Sequence, residues 1–290
     1  MRNSPIDVQP LTGSCGAEIF GVDLSKDLDQ SIVDAVRAAL HEWGVIFFRD
    51  QEFDAEQHKA LARRFGPIFI HPNYNGSGPD PEIVEIRREP GDTKIVGEEW
   101  HADTTMMAEP PMGAILFAIE TPPYGGDTMF ANQYLAYEAL SETMKRMLGG
   151  LRAIHSDRNV AGPKVGGERN AARATKVRAD ASWQETISVH PVVCAHPETG
   201  RPHLFVNHAY TLGFEGMTER ESRPLLDFLL EHGHRPEFTC RFRWRKGSVA
   251  FWDNRATKHT AIHDAGRFRR IMRRVQISGT KMNSAIAKAA

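Results

Sequence analysis

His101 and Asp103 stand two residues apart in GEEWHADTTM, residues 97–106. An imidazole and a carboxylate at that spacing can share one metal ion, because alternate side chains of an extended segment project to one face. Alone, the pair carries little weight. With 13 histidines and 37 acidic residues in the chain, chance supplies roughly 1.7 His-x-acid matches. The chain has three: His101-Ala-Asp103, His155-Ser-Asp157 and His196-Pro-Glu198. The last lies in HPETGRPH, whose composition spells a surface turn. The second opens a long charged stretch in which rigid ligand geometry is hard to hold. The first sits where a loop enters a strand, a better place for two converging ligands.

A facial site of two histidines and a carboxylate needs a second, distant histidine and leaves three adjacent coordination positions open. His190, His203, His208, His259 and His263 are the candidates. His259 ends SVAFWDNRATKH, a buried strand running into a polar loop, which suits an inward ligand. His263 lies four residues further on, and spacing does not order the two. The C-terminal third adds a basic run, Arg241, Arg243, Arg245, Lys246, Arg267, Arg269, Arg270, Arg273 and Arg274. Most of it reads as a solvated strand face, with one or two members turned inward at an anion.

These residues need elements to hold them. Ser31–Trp43 has apolar residues at helical spacing, with Asp29 in a capping position and Gly44 at the end. VIFFRD follows as a buried strand, and DAEQHKALARRFG as a second amphipathic helix. EIVEIRRE, GAILFAIETP and the stretch after YGGDT read as strands, and Asn132–Leu148 as one helix. Thr218 and Glu221 form a capping box for a helix that Gly233 terminates. FTCRFRWRKGSVAFWDN alternates and predicts a hairpin turning at Lys246-Gly247. Residues 156–188 show no sustained period, and a loop of that length in a compact domain suggests a lid. Many strands with helices set aside, and no repeat or linker, predict one α+β, mostly-β domain over residues 1–290.

Composition bounds the partners. Hydrophobic residues are 41% and charged residues 25%, a soluble globular profile. Lys+Arg (36) nearly balances Asp+Glu (37), which points away from nucleic acid or a membrane surface. Cys15, Cys194 and Cys240 lie far apart without a CxxC, which argues against a disulfide framework and a cysteine-built zinc site. With no leader-like apolar run and no span of membrane length, the expected location is cytoplasmic.

WHADTTM, GGDTMFAN, SVAFWDNRATKH and RRIMRR, in that order, together resemble the taurine dioxygenase and TfdA-type family of iron(II)- and 2-oxoglutarate-dependent dioxygenases. VQPLTGSCGAEIFGVDL and ESRPLLDFLLEH are similar to the same family, so the resemblance runs from about residue 7 to residue 279. EIRREPGDTKIVGEEWHADTT looks nearest to the branch containing the aryloxyalkanoate, or phenoxypropionate, dioxygenases. The resemblance implies a double-stranded β-helix, a cupin-like jelly roll with flanking helices. It implies His101, Asp103 and His259 as iron ligands, and Arg270 with Thr128 as the clamp on the far carboxylate of 2-oxoglutarate. Arg274, and less directly His71, would contact an anionic substrate. The implied cofactors are Fe(II), 2-oxoglutarate and O2, and the reaction hydroxylates a substrate C–H bond while releasing succinate and CO2. An aryloxyalkanoate, sulfonate or sulfate ester would suit Arg274, whereas Glu98 and Glu99 point away from taurine itself. Family habit implies a homodimer or homotetramer.

The chemistry agrees with that assignment. Imidazole and carboxylate suit iron(II), and a distal carboxylate needs the fixed, always-charged fork of an arginine. On a regular strand Arg270 and Arg274 share a face while Arg269 and Arg273 take the other. Trp100, Phe251 and Trp252 read as packing around the ligands. A zinc-dependent hydrolase would use the same His/Asp/His set but leaves Thr128 and Arg270 without a task. A non-catalytic cupin-like binding protein requires every motif to be accidental.

Overall fold

The computed structural model describes residues 5–74 and 80–286. A major sheet of eight strands runs in the order Asp7–Pro10, Ala17–Phe20, Val45–Phe48, Val249–Asp253, Gly113–Glu120, Arg270–Ile277, Ile68–Phe69, with Val84–Arg88 also paired to Arg270–Ile277. Facing it, a three-stranded minor sheet runs Thr239–Phe242, Thr128–Asn132, Thr257–Ala261. All these pairings are antiparallel except Ala17–Phe20 with Val45–Phe48. Two further three-stranded sheets carry the remaining strands.

Alternation within the major sheet explains why its central strands are apolar throughout. Val45 and Phe47, with Ala250 and Trp252, face the minor sheet, where Phe47 stacks on Phe242 at 3.9 Å. Ile46 and Phe48, with Val249 and Phe251, face the other way, beneath helices Gln30–Trp43 and Ala55–Arg63. Both faces are covered, so neither set of positions is free to be polar. The result is the expected double-stranded β-helix with flanking helices. Among the described residues no helix is long and apolar enough to cross a membrane.

Capping signals place the helices. Asp54 and Gln57 form a capping box, and so do Thr218 and Glu221. Asp29 holds the N-cap position without a side-chain bond. Three expectations need correction. Asn132–Leu148 is two helices, Gln133–Glu138 and Glu142–Leu148, because the Ser141 side chain accepts from Met144 N and starts a new N-terminus. The segment predicted as a hairpin is not one. Its first strand, Thr239–Phe242, pairs with Thr128–Asn132 in the minor sheet, and Val249–Asp253 pairs in the major sheet. Its period of two is real, but the chain crosses from one layer to the other at the turn. Residues 156–188, read as a loop, contain the helix Pro163–Ala172, whose Gly166-Gly167 and lack of apolar periodicity hid it.

Candidate metal centre

His101 and His259 are joined by an antiparallel bridge. His101 N donates to His259 O at 2.9 Å and His259 N to His101 O at 2.7 Å, which sets the two rings 4.1 Å apart. His259 is the middle residue of Thr257–Ala261, in register with Phe130. The loop after His101 then brings Asp103 back towards both rings. Ligand atoms of His101, Asp103 and His259 all lie within 4.8 Å of one another, and all three residues are buried.

Protonation states favour a cation here. His101 Nδ1 lies 2.7 Å from Glu99 O, and a carbonyl only accepts, so Nδ1 carries a proton and in the neutral ring the lone pair is on Nε2. That Nε2 lies 3.7 Å from Asp103 Oδ1. Burial alone would raise the Asp103 carboxyl, but Arg274, then His259 and His101, hold it down at about 2. Burial, with His101 second, keeps the His259 imidazole neutral, well below its usual value. Asp103 Oδ2 and His259 Nδ1 are buried without a hydrogen-bond partner. The orphaned Asp103 oxygen, an acceptor beside two imidazoles, fits a metal ion, and an N2O donor set of this type suits iron(II).

Two cavities meet at this trio. One, of about 430 Å3, is lined by Thr128, Arg270, Ile86, Leu116 and Trp252. Trp244 Nε1 donates to Thr128 Oγ1 at 2.9 Å, which leaves the threonine hydrogen free to donate into the cavity. Arg270 is buried with its Nε unpartnered, and burial, opposed by Asp127, lowers it to about 10, so it stays charged at neutral pH. Gly126 makes room for it: a Cβ there would stand 3.4 Å from Arg270 Cδ. The other cavity, of about 530 Å3, is lined by His71, Tyr74, Tyr210, Val160 and Val177, with Arg274 at its base. Both cavities share His101 and Arg274.

Arg274 Nη1 donates to Asp103 Oδ1 at 3.1 Å, while its Nε and Nη2 are buried and unpartnered. His71 Nδ1 accepts from Asn73 N at 3.1 Å, and burial followed by the Arg274 charge pushes His71 down to about 3. It is therefore a neutral imidazole with Nε2 as its donor. Of the rest of the basic run, Arg269 pairs with Glu120 and Arg241 with Asp127 and Asp264. Arg273 turns to the helical side, onto Phe53 and Phe117. Glu98 and Glu99 are answered by Lys94 at 3.2 Å and Arg169 at 3.7 Å.

The other histidines have other partners. His190 Nε2 meets the Thr105 and Met107 carbonyls, His203 Nδ1 faces Leu204 O, and His263 is exposed. His208 packs against His234, on which Trp100 stacks. His155 bonds Thr105, while Asp157 points elsewhere, accepting from Asn73, Trp183 and Thr186. His196, read as part of a surface turn, is instead buried against Asp253 at 2.9 Å with His41 beside it. That second cluster already holds a cation, because Arg255 grips both Asp253 oxygens and Glu198. Trp252 packs on His259 at 4.7 Å as expected, but Phe251 faces the helices and meets Phe65. Sequence reasoning missed Trp244, Asn73, Tyr74 and Tyr210, whose only signal is polarity or aromaticity in otherwise ordinary segments.

The family model of the taurine catabolism dioxygenase TauD, TfdA family matches residues 7–276. The chain belongs to this family. This TauD/TfdA enzyme is accordingly an oxidoreductase, an iron(II)- and 2-oxoglutarate-dependent dioxygenase. It is 37% identical over 278 residues to an alkylsulfatase of Acinetobacter baylyi, covering 94% of this chain and 85% of that one. It is 33% identical over 277 residues to an (S)-phenoxypropionate/alpha-ketoglutarate-dioxygenase of Sphingobium herbicidovorans, covering 94% and 95%. A crystal structure of a taurine dioxygenase from Burkholderia xenovorans superposes with a TM-score of 0.80 at 38% identity, over 96% of this TauD/TfdA chain and 90% of the other. The alkylsulfatase shares more identical residues than the phenoxypropionate enzyme, so identity does not single out the phenoxypropionate branch.

Proposed function

We propose that this TauD/TfdA dioxygenase hydroxylates a C–H bond, next to a heteroatom, of a small anionic organic substrate: a sulfate ester, a sulfonate or an aryloxyalkanoate. The observation that carries the reading is the convergence of two buried arginines on the cavities beside one His/Asp/His trio, each with unpartnered nitrogen. His101, Asp103 and His259 would hold the iron, which when bound supplies the oxidising chemistry toward the substrate C–H bond. Arg270 fixes the far carboxylate of 2-oxoglutarate by its rigid fork, and Thr128, oriented by Trp244, donates a second bond. Arg274 receives the substrate anion on Nε and Nη2, and neutral His71 offers Nε2–H on the same side. Val160, Val177 and Tyr210 supply an apolar wall for the organic part and exclude water. Residues 156–188, which contribute Val160 and Val177 to that wall, act as a lid within a single domain. Assembly as a dimer or tetramer rests on family habit and is read by sedimentation equilibrium.

The test is anaerobic titration of the apoprotein with iron(II) and 2-oxoglutarate, followed by the weak visible charge-transfer band of the chelate. The band is expected to vanish in His101→Ala and to weaken in Arg270→Ala. Succinate release is then screened across sulfate esters, sulfonates and aryloxyalkanoates. Tight zinc binding with no band would place a hydrolase ahead of this reading.

A further inference from the structure

Asn254 lines neither cavity, yet its side chain is wholly engaged on backbone, chiefly that of Asp103. Its Oδ1 accepts from Asp103 N at 2.5 Å, and its Nδ2 donates to Asp103 O at 3.0 Å and to Pro111 O at 3.1 Å. Its own N–H donates to Met112 O at 2.9 Å. The residue is 1% exposed, and both amide hydrogens and the amide oxygen are used. The side chain thus pairs with Asp103 as a strand neighbour would, at a place where no strand runs.

The grip falls where the chain is least relaxed. Thr104, the next residue, has φ +47, one of two non-glycine residues in the left-handed region among those described. Such a conformation costs free energy in a residue with a Cβ and persists only where surroundings impose it. It lets the loop turn back so that the Asp103 carboxylate meets His101 and His259, which the sheet holds independently. The two histidines have their own bridge; Asp103 is held instead by this amide on its backbone and by Arg274 on its carboxylate.

We infer that Asn254 is a positioning residue for the metal centre, an amide clamp that holds Asp103 in its ligating position. The inference rests on the metal reading given above. Only asparagine meets the demand: an aspartate keeps the acceptor but loses both donors and adds a negative charge beside Asp103, and a leucine has the shape without the bonds.

Cobalt(II) alone, titrated into the apoprotein, reads both affinity and ligand geometry through its visible bands. In Asn254→Leu the cobalt dissociation constant is expected to rise ~10–100-fold, the usual cost of removing a support behind a ligand, and the bands to change shape. Should that variant not fold, Asn254→Asp offers the same comparison with the volume retained. Leu229→Ala, in the apolar cluster with Phe214 and Leu226, is the control: it lowers the melting temperature while leaving cobalt affinity and bands as in the wild type. Asn254 variants with unaltered affinity and bands, or a control that loses cobalt equally, overturn the clamp. Wild-type protein whose cobalt binding is indifferent to His101→Ala overturns the metal reading and the clamp with it.

Discussion

Arg274 and Asp103 form a buried pair, Nη1 to Oδ1 at 3.1 Å, with both side chains 4% exposed. The cation proposed to receive substrate is thus also the counter-ion of a proposed metal ligand. Neither charge is solvated by water, and against the cost of burial the Arg274 charge is the largest influence holding the Asp103 carboxyl down. On the proposed ligand set, a metal at Asp103 would weaken the claim of that carboxylate on Arg274 and leave the guanidinium freer for an anion.

Replacing Arg274 by alanine raises the KM for an anionic substrate about 100-fold, the scale of a lost buried charge-assisted contact. The KM for 2-oxoglutarate moves far less. Steady-state kinetics with each substrate varied in turn decides it, and equal rises in the two would remove the role given to Arg274.

Arg270→Lys keeps the charge but loses the fork, so the KM for 2-oxoglutarate rises ~10-fold or more. Thr128→Val acts in the same direction by a smaller factor, because it removes the hydroxyl that Trp244 orients. The midpoint of the 2-oxoglutarate titration of the charge-transfer band shows both. An unchanged midpoint in Arg270→Lys would place the distal carboxylate elsewhere.

Asp157 binds Asn73, Trp183 and Thr186, and so ties the far end of the lid to the loop that carries His71. Asp157→Asn cancels the charge behind these bonds and speeds amide hydrogen exchange across residues 157–186. In the wild type, iron, 2-oxoglutarate and substrate together slow that exchange. Exchange indifferent to all three would mean that the segment is a fixed wall and not a lid.

His58 is fully buried, and Arg273 Nε donates to its Nδ1 at 3.2 Å. Burial first, and Arg273 second, bring it from 6.5 to about 3 in the folded chain. Between those values the unfolded state binds the extra proton, so this contribution to stability is complete above pH 6.5 and is lost as pH falls towards 3. The slope is about 1.4 kcal/mol per pH unit for one such group. Urea unfolding at several pH values should show a shallower acid limb in His58→Gln, which retains an acceptor for Arg273.

The inward pair Arg270 and Arg274 is legible in the sequence because a strand enforces alternation, and the register shift between Ile271 and Met272 places its extra residue on Gly113–Glu120 and leaves the alternation of Arg270–Arg274 intact. The helices with capping boxes are legible for the same local reason. The layer change after Phe242 is not, since pairing partners are chosen by the whole sheet and a period of two looks alike in a hairpin and a crossover. Local reasoning likewise left His259 and His263 unordered. The bridge to His101 separates them, and that bridge is a long-range fact. The Asn254 clamp was invisible because an asparagine after a strand is an ordinary turn residue until its partner is known.

The bridge between His101 and His259 also governs when the site comes into being. During synthesis the first histidine and Asp103 leave the ribosome long before their partners, with Asn254 following Asp103 by 151 residues. A nascent chain that has not yet closed its last strands offers one imidazole and one unsupported carboxylate, which is a poor chelator. On the proposed ligand set, a redox-active ion would therefore be captured only by a finished barrel, where walls are already in place around it.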